Sequence, residues 1–127
     1  QGNASLATLA VASLTTASYV NISNNGLTSL DFSGLTTVTN VLVISDNLAL
    51  TDIVWSGSVA WRNNVYMSGC ALPATEINEI LALAVANGSG NPINIYLFGQ
   101  TPPAPPSGQG ITDVTTLQGW GFSVSTD

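Results

Sequence analysis

Two stretches of this chain repeat each other at a spacing that leaves few folds open. "YVNISNNGLTSLDFSG" (19–34) and "VLVISDNLALTDIVWSG" (41–57) match as Val20/Leu42, Ile22/Ile44, Asn25/Asn47, Leu27/Leu50, Leu30/Ile53 and Phe32/Trp55. One extra residue sits between Asn47 and Leu50, and both stretches close on Ser-Gly. In "VYMSGCALP" (65–73), Val65, Met67 and Cys70 each stand 23 residues beyond Leu42, Ile44 and Asn47. Two looser copies follow: Ile95, Leu97 and Gln100 in "INIYLFGQ", then Phe122, Val124 and Asp127 in "FSVSTD". Every copy reads apolar-x-apolar-x-x-(Asn, Cys, Gln or Asp), at spacings of 22, 23, 30 and 27 residues. Repeats of this period are stacked units, each burying its neighbour's apolar face.

An apolar-x-apolar triplet is one short strand with alternate side chains turned inward, and stacked copies make a parallel ladder. The chain leaving each strand must turn, and an inward Asn satisfies backbone groups there because its amide both donates and accepts. Cys fills the same slot as a small, weakly polar residue. "TVTNVLVISDN" also permits Val41 and Val43 inward, and a slip of one residue exchanges the two faces. Leu42 and Ile44 inward is preferred, because it keeps Asn47, Val65, Met67 and Cys70 in phase.

The pattern resembles the leucine-rich repeat, whose signature LxLxx(N/C)xL recurs at about 20–29 residues. The resemblance covers most of residues 14–127 and is closest in the first three units. It implies an α/β solenoid, a leucine-rich-repeat-like stack of about five short parallel strands in one domain (1–127). Repeat units fall at about 14–34, 35–57, 58–92 and 93–110, with 111–127 as a C-terminal cap.

One long helix is expected over 73–88, "PATEINEILALAVANG", with Pro73 and Thr75 at its start and Gly88 as its stop. Ile77, Ile80, Leu81 and Ala84 form its apolar stripe. Glu76 and Glu79 sit in its opening turns, where carboxylates suit the helix dipole. An acid/base pair is the alternative reading, and the solvated one is preferred. "QTPPAPPSGQG" (100–110) reads as a stiff joint between units, with a proline-rich ligand as the alternative. A short helix over 111–121 should turn Ile111, Val114 and Leu117 inward, and with Trp120 and the last strand it should close the stack. "ALPATEINEILALAVANG", "PPSGQG" and "GWGFSVSTD" also look like the C-terminal units of leucine-rich-repeat-like domains in tailed-phage virion proteins and some bacterial surface proteins.

Charge excludes several roles. The 127 residues carry one basic residue, Arg62, no His, and a net charge of -6. Nucleic-acid binding needs several Lys or Arg to displace counterions from phosphates. A polybasic membrane anchor fails for the same reason, and no apolar run is long enough for membrane insertion. Cys70 is the only cysteine, and without a histidine there is no obvious base to make it a nucleophile. A buried ladder position is preferred for it, with an intermolecular bridge as the alternative. No metal or cofactor ligand set is present, since Asp31, Asp46, Asp52, Asp113 and Asp127 do not cluster as a calcium loop does. The expectation is a protein that is not an enzyme. Asn3, Asn21 and Asn87 begin N-x-Ser/Thr triplets, which a chain rich in these residues makes by chance. Trp55 and Trp61 suggest sugar stacking, but their alignment with Phe32 and Val38 favours the core.

The ladder leaves the in-between residues facing outward. Val43, Tyr66, Tyr96 and Phe98 then form an uncharged apolar and aromatic strip, the candidate partner-binding surface. A neighbouring domain or subunit covering that strip is the competing explanation. Low charge, the capped stack and the phage-like ending lead to the expectation of a structural or decoration domain of a virion or another extracellular assembly. Its partners would be proteins of that assembly. The alternative is a recognition module, a phage fibre domain or bacterial surface adhesin, that binds a cell-surface receptor or glycan.

Overall fold

The computed structural model describes residues 3–127. Three passes of chain come first, each laying down three short strands. They are β1 (Thr8–Ala10), β2 (Thr16–Ala17) and β3 (Val20–Asn21), then β4 (Ser29–Phe32), β5 (Thr37–Val38) and β6 (Leu42–Val43), then β7 (Asp52–Trp55), β8 (Ala60–Trp61) and β9 (Val65–Tyr66). Helix α1 (Ala74–Asn87), β10 (Asn94–Tyr96), helix α2 (Gln109–Gly119) and β11 (Ser123–Ser125) complete the chain. The architecture is α/β: two helices and three sheets, ordered β1-β4-β7, β2-β5-β8 and β11-β10-β9-β6-β3, with every pairing parallel.

The five-stranded sheet follows the sequence pattern, with Val20 against Leu42, Leu42 against Val65, and Val65 against Ile95. Leu42 and Ile44 are buried and Val43 points outward, so the preferred register holds. The two three-stranded sheets are a departure from the expected single strand per unit. On these strands and at their corners, the inward residues Leu27, Leu30, Phe32, Leu35 and Val38 of the second pass are all at most 1% exposed. The chain alternates within each strand, and the alternation restarts at every corner. The ladder also begins upstream of residue 14, because β1 pairs with β4 from Thr8↔Ser29 to Ala10↔Asp31.

The last strand is shifted. Ile95 pairs with Val124, not with Phe122, so Phe122 takes the place next to Ile93 and is buried. This adds two residues to the final spacing and sets Asp127 two positions short of the register expected for it, although its carboxylate still accepts the Gln100 amide. A loop that has to carry α2 needs that extra length.

Helix α1 buries Ile77, Ile80, Leu81, Leu83 and Ala84, and packs against α2 and β8. Helix α2 starts two residues earlier than expected, and its buried residues are Gly110, Asp113 and Leu117. Ile111, expected inward, is 58% exposed. The two helices approach so closely that a Cβ on Gly110 would overlap the Asn78 side chain. A larger residue there would displace the Asn78 side chain, so Gly110 and not Ile111 fills the contact. Asn78 also fixes the proline-rich segment. Its Oδ1 accepts the Ser107 amide at 3.1 Å, and its Nδ2 donates to Ser107 Oγ at 3.0 Å.

Candidate interaction surface

The outward face of the five-stranded sheet is held in place by a polar ladder behind it. Asn47 is fully buried. Its Nδ2 donates to the carbonyls of Ile22 (3.0 Å) and Ile44 (2.6 Å), and its Oδ1 accepts the Asn25 amide at 3.1 Å. Asn25 repeats this one pass earlier, donating to Ile22 O and accepting the Asn3 amide. Gln100 repeats it two passes later, donating to Met67 O and Leu97 O and accepting the Leu72 amide. Asp127 accepts the amides of Gly99, Gln100 and Ala104 from the end of the chain. Each ladder side chain ties a turn to its neighbour, so the strands in front are locked in register.

Cys70 occupies the slot between Asn47 and Gln100. It is free and fully buried, and Sγ lies 3.5 Å from Ile44 O. Burial, the largest effect, pushes its thiol up to about 11. A thiol that is fully buried and held protonated in this way is a weak nucleophile at neutral pH.

In front of the ladder, Asn21, Val43, Tyr66, Tyr96 and Ser125 form one row across the sheet. Parallel strands lie about 4.8 Å apart, and two tyrosines in register must stack at that spacing. Their ring centroids are 4.8 Å apart with planes 6° from parallel. Phe98, two residues beyond Tyr96 on the same face, meets it edge-on at 6.5 Å and is 46% exposed. Val43, Tyr66, Tyr96 and Phe98 therefore come together, three in one row and Phe98 in the next. Tyr66 is oriented by Asn64, whose Nδ2 donates to its hydroxyl at 3.2 Å. Asn64 is itself held by the Asn94 amide, which donates to its Oδ1 at 3.0 Å. Beside these rings Ser45 and Ser68 share a hydrogen bond of 3.3 Å. The surface is a flat aromatic platform edged by amides and hydroxyls.

Trp55 and Trp61 do not belong to it. They are 7% and 1% exposed, and Phe32, Trp55 and Trp61 pack as one cluster, with centroids 5.7 and 5.5 Å apart. Glu76 departs from the expected solvated position. It is half-buried, and its Oε2 is enclosed without a hydrogen-bond partner. Burial above all, helped by the charges of Glu79 and Asp52, pushes its carboxyl up to about 7. Among the described residues no group of three or more His, Cys, Asp or Glu is placed to hold a metal ion, and no helix is long and apolar enough to cross a membrane.

Comparison of this chain with protein-family models, with curated proteins and with solved structures found no match.

Proposed function

We propose that this chain is a leucine-rich-repeat-like solenoid and a non-enzymatic structural or decoration domain of a virion or other extracellular assembly. It engages protein partners of that assembly through its five-stranded sheet. The observation that carries this reading is the uncharged platform of Val43, Tyr66, Tyr96 and Phe98, on strands whose register the buried ladder fixes. Large rigid rings give contact area at little entropic cost, and tyrosine hydroxyls tolerate both water and a dry partner. The order of the repeats, the low charge and the C-terminal ending support the extracellular setting.

The second reading is a receptor- or glycan-recognition module. The flat Tyr66–Tyr96 pair favours it, because sugars stack on aromatic faces, and so does the amide of Asn64 beside the pair. The double variant Tyr66→Ser/Tyr96→Ser distinguishes the two. Its melting temperature should stay within a few degrees of the parent. Loss of particle assembly supports the structural role, and loss of cell or glycan binding by intact particles supports recognition. Full assembly together with full binding would refute both.

A further inference from the structure

The first pass of chain differs from the second in what covers it. Leu9, Ala17 and Val20 pair in register with Leu30, Val38 and Leu42. The three residues of the second pass are 0–1% exposed, and their partners in the first are all half-buried. Leu6, Val11, Leu14 and Ile22 are half-buried in the same way against the core. These side chains point inward, so what they expose is the end of the stack.

Three strand edges border this apolar end, since β1, β2 and β3 are each outermost in their sheets. The amides of Val20 and Ile22 donate to Val41 and Val43, so by strand alternation the Asn21 backbone faces the open side. The Val11 amide donates to Asp31, so Ala10 faces the same way. Proteins usually protect such edges with charges or prolines. Residues 3–30 contain no Asp, Glu, Lys, Arg or Pro.

We propose that this end is a docking surface for one further pass of polypeptide of the same repeat, added in parallel across all three edges at once. The chain itself specifies the occupant. The corresponding end of the second pass, with the same inward positions and the same three edges, is covered by such a pass. Asn25 there accepts the amide of Asn3, and Asn47 accepts that of Asn25. An occupant must therefore present apolar residues over Leu9, Ala17 and Val20, and carry no charge at those points.

A copy of residues 25–46 placed directly ahead of Asn3 tests this in the full chain. It should raise Tm by about 5–10 °C and slow amide exchange at Ala10 and Asn21 at least tenfold. The same extension with its copies of Leu30, Phe32, Val38 and Leu42 changed to Ser should do neither. Equal effects from both extensions, or none from either, would overturn the proposal. So would sedimentation showing that the unextended chain dimerises and that Leu9→Asp abolishes the dimer, because a second copy would then be the occupant.

Discussion

The molecule turns its chain in two ways. In the first three passes the return path is made of strands, and residues about 22 apart come into register. In the last two the return path is a helix, and the spacing rises to 30 between Asn64 and Asn94. The sheet in front is unaffected by the change, since β9 pairs with β10 as β6 pairs with β9. What changes is the periodicity behind it. "SLDF" alternates and lies flat as β4, whereas Ile77, Ile80, Leu81 and Ala84 recur at helical spacing and roll into α1. The polar slot adapts to the difference. Asparagine suffices where both neighbouring passes are strands, and the longer Gln100 bridges to Leu72 where a helix has entered. The front of the fold is therefore specified by the strand triplet and the polar slot, and the back is built of strand in one half and of helix in the other.

The largest effect should come from the junction of the two kinds of pass. Trp61 is on β8, the outermost strand of its side sheet and the one that α1 packs against, and its carbonyl accepts from Asn87 of α1 at 3.4 Å. Trp61→Ala should cost about 3–5 kcal/mol, read as a fall in the urea midpoint. If the helical half is insensitive to the strand half, far-UV signals from helix and strand will separate in that variant.

The polar slots come next. Asn47→Ala leaves the Asn25 amide without its partner and removes one of the two donors from each of the Ile22 and Ile44 carbonyls, and should cost about 2–3 kcal/mol. Cys70→Ala removes one weak contact and a small volume and should cost about 1 kcal/mol. Equal losses in denaturant titrations would mean that the slots act by packing and not by hydrogen bonding.

The smallest effect depends on pH. Glu76 has a higher pKa folded than unfolded, so the folded state binds its proton more tightly. Stability from this group is then greatest at low pH, declines as pH rises from about 4.5 to about 7, and is lost above that. Glu76→Gln should therefore stabilise the protein at pH 8 by about 1–1.5 kcal/mol, allowing for screening of a half-exposed group. It should have little effect at pH 4. Thermal melts at the two pH values check the difference, and a variant stabilised equally at both would remove the charge explanation.

The strands facing the platform were legible because each carries a triplet and a polar residue in fixed order. The α1 stripe was legible because fourteen residues give the helical period room to show. The side sheets were not. Their strands are two to four residues long, and Leu27, Leu30, Phe32, Leu35 and Val38 follow no single period because each corner resets the alternation. The last strand was misplaced because Phe122-x-Val124 and Ile93-x-Ile95 are equally good triplets, and only pairing chooses between two-residue slips. The setting of Glu76 includes the charge of Asp52 and the backbone of Ile53 on β7, a neighbourhood that no local pattern records. In the platform, the tyrosine row was predictable from register, while the stacking of the rings and their support by Asn64 depend on strand spacing.

Tyr66 and Tyr96 lie a whole helix apart along the chain and one strand apart in space. The strand pairing, and not the length of the segment that joins them, brings the two rings together. The surface carries a ruler graduated by the backbone, with its rings set 4.8 Å apart by the parallel ladder.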